Sequence, residues 1–71
     1  MVKILNVKKF RAILILQGKT FKDIANLLNI NITTLYRKLN GESDFYRNEI
    51  DAISKDLNLS LEEIEEIFFA Q

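Results

Sequence analysis

Apolar positions recur along most of this chain at intervals of three and four, the period of helices that bury one face, and they fall into five groups separated by short polar breaks. In the first group Val7, Phe10, Ile13, Leu14 and Gln17 share a stripe, with Lys8, Lys9 and Arg11 outside it. Asn6 precedes the stripe as an N-cap and Leu5 is placed to staple onto Phe10, so a helix is expected from Val7 to about Gln17. Ile15 and Leu16 widen its apolar surface and predict burial on more than one side. Ahead of it, Val2, Ile4 and Leu5 make too short a group for more than an arm or a brief strand.

The second and third groups lie close together. Thr20 is placed to cap a helix through the amide of Asp23, and Phe21, Ile24, Ala25 and Leu28 follow at helical spacing. Asn29 ends that helix, because asparagine tolerates the left-handed backbone conformation better than any residue but glycine and lets the chain turn without a long loop. Asn31 caps the next helix, with Ile30 stapling onto Leu35. Leu35 and Leu39 point inward, which leaves Ile32, Thr33, Tyr36, Arg37 and Lys38 outward on a face that carries no carboxylate. Such a face suits a polyanionic partner.

Two further groups complete the chain. After a polar loop from Glu42 to Asp44, a fourth helix is capped either by Tyr46 with Glu49 reaching back or by Asp44. The Tyr46 register is preferred because it lets Phe45 staple onto Ile50. Ile50, Ile53 and Leu57 form its inner stripe and Asn58 ends it. Ser60 and Glu63 then make a capping box for a last helix from Leu61 to about Phe69, with Leu59 stapling onto Ile64. There is no proline, and the two glycines, Gly18 and Gly41, mark the breaks that most need backbone freedom. The expected architecture is all-α, a compact bundle of five short helices forming one domain over residues 1–71.

Composition narrows the chemistry. The chain contains no cysteine and no histidine, which removes disulfides, the usual zinc-ligand sets and the common nucleophile and base arrangements, so neither an enzyme nor a cofactor is expected. The longest apolar run, Ala12 to Leu16, is too short to cross a bilayer, and the first residues lack the features of a signal peptide, so a cytoplasmic protein with no membrane partner is expected. Formal net charge is zero, but Met1 to Gly41 holds eight basic residues and one acidic one, whereas Glu42 to Gln71 holds two basic and nine acidic. A positive half and a negative half of this kind point to nucleic-acid contact on the basic side.

That basic half carries Ile24-Ala25, Leu28 to Asn31, and Leu35 to Gly41 (Leu-Tyr-Arg-Lys-Leu-Asn-Gly), and on these residues the chain resembles the phage Cro and repressor (Xre-like) helix-turn-helix family, particularly its small phage-type members. The resemblance runs from about Asn6 to Phe69. It implies a lambda-repressor-like DNA-binding fold whose third helix lies in the major groove of duplex DNA. Carried over by position, Ile32, Thr33, Tyr36 and Arg37 fall where relatives contact bases, and Thr20, Asn31, Lys38 and Asn40 fall near phosphates, with Lys22 beside them. Three positions depart from the pattern. Phe21 stands where relatives often have a phosphate-touching glutamine, Asn29 stands at a turn that is commonly glycine, and Leu14 and Leu39 replace an Arg and Glu pair that many relatives bury.

Chemistry is consistent with these roles. An exposed arginine on such a helix suits guanine O6 and N7, and a branched apolar side chain such as Ile32 suits a thymine methyl. Tyr36 has two readings, covering the core edge or bonding a phosphate. The expected function is therefore a sequence-specific DNA-binding transcriptional regulator that occupies an operator. The alternative is a protein-binding modulator or antirepressor of the same fold that docks on another phage regulator. One recognition helix reads only a few base pairs, so a homodimer is a natural arrangement. Phe69, which a helix cannot hide together with Ile67 and Phe68, is either its contact or an ordinary exposed end.

Overall fold

The computed structural model describes residues 6–69. The expected arm at Val2 to Leu5, and the staple from Leu5, lie outside them. Five helices follow in order: α1 (Val7–Leu16), α2 (Phe21–Leu28), α3 (Ile32–Leu39), α4 (Arg47–Leu57) and α5 (Leu61–Phe68), with no strand among the described residues. Helices α1 and α5 each stop one residue before the expected end, with Gln17 and Phe69 as caps.

Local side-chain chemistry starts the helices where it was expected to. The Asn6 side chain accepts from the Lys9 amide at 3.1 Å, and the Asn31 side chain from the Thr33 amide at 2.8 Å. Thr20 with Asp23, and Ser60 with Glu63, form reciprocal capping boxes with both hydrogen bonds present. Of the two registers open for α4, the chain adopts the one that starts after Tyr46, whose amide donates to the Glu49 carboxylate at 2.9 Å.

Four of the helices end in one way. Gly18, Asn29, Gly41 and Asn58 all have positive φ (69°, 57°, 85° and 53°). In each case the next amide reaches back five residues, from Lys19 to Leu14, Ile30 to Ala25, Glu42 to Arg37 and Leu59 to Ser54, at 2.8 to 3.0 Å. This is the Schellman closure, which satisfies carbonyls that a helix end leaves without partners. Between α2 and α3 it compresses the connection to Asn29, Ile30 and the Asn31 cap. An L-residue without a short polar side chain is strained in that conformation. Asn29→Ala is therefore expected to lower stability by about 1 kcal/mol, whereas Asn29→Gly stays within a few tenths, as read from urea unfolding.

One core joins the five helices. Phe10, Ile13 and Leu14 of α1, Ile24 and Ala25 of α2, Leu35 and Leu39 of α3, Ile53 and Leu57 of α4, and Ile67 and Phe68 of α5 are all buried in a single cluster. Edge-to-face ring contacts run through it from Phe45 to Phe68, Phe10, Phe21 and finally Tyr36, with centroid separations of 5.4 to 6.5 Å. Polar ties fix the ends of α1: the Asn6 amide donates to the Ile67 carbonyl, and the Gln17 side-chain amide donates to the Leu57 carbonyl, both at 2.8 Å.

The expected burial of α1 on more than one side is corrected. Ile15 is 68% and Leu16 85% exposed. Successive helical residues are turned by about a third of a revolution, so a helix that buries Phe10, Ile13 and Leu14 against one core must turn Ile15 and Leu16 away.

Candidate nucleic-acid interface

Helix α3 presents Thr33 and Arg37 to solvent, whereas Tyr36 is half-covered, its ring meeting Phe21 edge-on at 6.5 Å at the edge of the core, with the rest of the side chain open. The cause is its phase: Leu35 and Leu39 anchor one side, so positions 33 and 37 fall on the other and position 36 on the flank. Ile32 is intermediate, packed partly against the core while it lines the surface beside Tyr36, so it is less free than the outward placement expected of it. Asn31 and Asn40, the caps at the two ends of α3, are exposed.

Helix α2 brings Thr20, Phe21 and Lys22 to the same surface. Arg11, Leu14 and Ile15 of α1, Lys19 before α2, Thr20, Phe21 and Lys22, and Ile32 and Tyr36 of α3 line one open groove of about 740 Å³. Four of the residues expected to contact DNA (Thr20, Lys22, Ile32 and Tyr36) thus share a concavity. The Thr20 hydroxyl accepts from the Asp23 amide at 3.2 Å, which leaves its proton available to donate.

Lys38 requires a correction. It was expected outward and near phosphate, but it is only 5% exposed and its ammonium is turned into the protein. Nζ lies 3.0 Å from a Glu49 carboxylate oxygen and donates to the Asp44 carbonyl at 2.8 Å. The ring centroids of Tyr46 and Phe45 lie 4.4 and 5.8 Å from it. Lys38 flanks the Leu35 and Leu39 stripe on the side that α4 and the segment before it cover, and the carbonyl, carboxylate and aromatic rings replace the water its charge gives up. The lysine therefore ties the last turn of α3 to the first turn of α4 and is withdrawn from the phosphate contact expected of it. Periodicity placed Lys38 outward, and nothing local to position 38 announces Glu49.

The remaining charges divide into engaged and open sets. Lys19 pairs with Asp56 at 2.8 Å and Lys9 with Glu66 at 3.6 Å, both joining the basic half to the acidic half. Among the described residues, no carboxylate lies within ion-pair distance of Lys8, Arg11, Lys22 or Arg37. The Arg11 guanidinium sits over the Phe21 ring, 5.6 Å from its centroid. Arg11 had been read only as part of the polar side of α1, since nothing local to position 11 announces a partner ten residues away. Phe69 caps α5 and is 57% exposed, beside the buried Ile67 and Phe68. Among the described residues, no helix is long and apolar enough to cross a membrane.

A family model described as the Cro/C1-type HTH DNA-binding domain matches residues 9–69, which takes in α2 to α5 and all of α1 but its first two residues. No curated protein and no solved structure gives a significant match.

Proposed function

Because the chain belongs to the Cro/C1-type helix-turn-helix DNA-binding domain family, we propose that it is a cytoplasmic transcriptional regulator of repressor type that occupies a specific double-stranded operator through α3. The observation that carries this reading is the open side of α3, where Thr33 and Arg37 are exposed and Tyr36 half-exposed, with no carboxylate among them. In this mechanism Arg37, Thr33, Tyr36 and the partly buried Ile32 meet base edges in the major groove. Thr20, Lys22, Asn31 and Asn40 contact phosphates and set the register. The chain as a whole, 1–71, acts as one DNA-binding domain, and the work is done by occupancy rather than by bond chemistry.

A single α3 spans too few base pairs for a unique site, so two copies are proposed to bind together with their third helices about 34 Å apart along the duplex. Phe69, an exposed aromatic at the end of α5, is the proposed contact between them.

In vitro selection from a random duplex library tests both parts. Recovery of an inverted repeat with half-sites one turn apart is the expected result. Recovery of no enriched sequence, together with no shift of any duplex in a gel, would favour the second reading: a modulator or antirepressor that docks on another regulator. The net charge of minus seven over Glu42 to Gln71 lends that reading its weight.

A further inference from the structure

We propose that Arg11, on α1, is a phosphate-binding residue, and that the groove between α1, α2 and α3 seats one phosphodiester strand of the duplex. This rests on the DNA-binding reading above and extends it to a helix outside the helix-turn-helix pair.

The groove combines two kinds of surface. Ile15 and the partly buried Phe21 and Ile32 supply apolar area, while Arg11 comes from α1 and Lys22 from α2. Apolar area of this kind suits the faces of deoxyribose rings, and cations from two elements suit the phosphates between them. Arg11 and Lys22 have no carboxylate within ion-pair distance among the described residues, so their charge is not spent inside the protein. Lys19, which lines the same groove, differs in being engaged by Asp56 at 2.8 Å.

Arg11 is also held in place. Its guanidinium lies over Phe21, and the Phe21 ring in turn meets Tyr36 edge-on at 6.5 Å. A guanidinium resting on an aromatic face keeps its in-plane N–H donors free, so stacking restricts the side chain without using up its hydrogen bonds. The stack thereby sets the cation beside Tyr36 and Ile32, on the surface where α3 meets its target. Lys8, also exposed on α1, does not line the groove and serves as the matched control.

The test is the salt dependence of binding to a random-sequence duplex, measured for the wild type, Arg11→Gln, Arg11→Lys and Lys8→Gln. Each phosphate contact contributes about 0.9 to the slope of log affinity against log salt. Arg11→Gln is expected to lower that slope by about one unit, to weaken the random duplex and any selected operator by the same factor, and to lower the unfolding midpoint only slightly, through loss of the exposed stack on Phe21. Arg11→Lys is expected to keep the slope with weaker binding, because the charge remains but the flat stacked group does not. Lys8→Gln is expected to change the slope by clearly less. An unaltered slope in Arg11→Gln, an equal drop in Lys8→Gln, or a loss confined to one operator base would each overturn the assignment while leaving the regulator reading intact. Failure of the wild type to bind any duplex would overturn both.

Discussion

Lys38→Met is expected to destabilise the fold by about 3 to 5 kcal/mol, the usual cost of removing one partner from a buried ion pair. Lys38 and Glu49 are 5% and 8% exposed. Methionine would retain the aliphatic packing against Tyr46 and Phe45, so the loss reports the charge rather than the volume. What remains is a buried Glu49 carboxylate whose only other hydrogen bond among the described residues comes from the Tyr46 amide, at 2.9 Å. Total stability of a chain this size is roughly 4 to 10 kcal/mol, so the variant should be partly unfolded at room temperature. Glu49→Gln should be costly in the same way, since it strands the ammonium. The double variant Lys38→Met, Glu49→Gln should recover most of the loss, because the glutamine carbonyl can still accept from Tyr46 and no uncompensated charge is left. Urea unfolding followed by circular dichroism for the four proteins gives the coupling energy. Additive single losses in the double variant would show that the two side chains act independently.

That pair also marks where reading the chain by residue type goes astray. Helix starts at Asn6, Thr20, Asn31 and Ser60, and the turns at Asn29 and Asn58, were legible because each depends on bonds within five residues. The pairing of Lys38 with Glu49 spans eleven positions and depends on how α4 returns across α3, which no local pattern encodes. The phase of α3 left Lys38 on the flank of the Leu35 and Leu39 stripe, and its charge argued for solvent. Ile15 and Leu16 illustrate the opposite error. Hydrophobicity argued for burial, yet apolar residues on a small protein's surface are ordinary, and α1 has only one side against the core.

The candidate interface divides along the same line. Thr33, Tyr36 and Arg37 could be assigned from helical phase, since exposure of α3 follows from its anchoring leucines. The groove could not, because it is assembled from α1, α2 and α3 and from a ring contact between Arg11 and Phe21. Phe21 belongs to both descriptions. It meets the buried Phe10 at 5.4 Å and carries Arg11 on its exposed side, so a position that departs from the resembling family's pattern is built into core and surface together. The Lys38 lock bears on the interface as well: it holds the end of α3 against α4 and so fixes the angle at which Arg37 leaves the protein.

On that surface, Arg37→Ala is expected to weaken binding to the selected operator by about 1 to 3 kcal/mol, roughly five- to 150-fold, and to relax preference at one base position. The side chain is exposed, and no carboxylate among the described residues lies within ion-pair distance, so folding stability should change by no more than about 0.5 kcal/mol. Binding loss can therefore be read without correction for unfolding. Arg37→Lys separates charge from geometry. Lysine keeps the cation and with it the salt slope, but it lacks the planar fork that meets guanine O6 and N7 together, so discrimination at that base should fall while random-duplex affinity holds. Competition binding with operators varied one base at a time measures both quantities. Equal losses on operator and random duplex in Arg37→Ala, with no base position relaxed in either variant, would reduce Arg37 to a phosphate contact and leave Thr33, Tyr36 and Ile32 to carry the specificity.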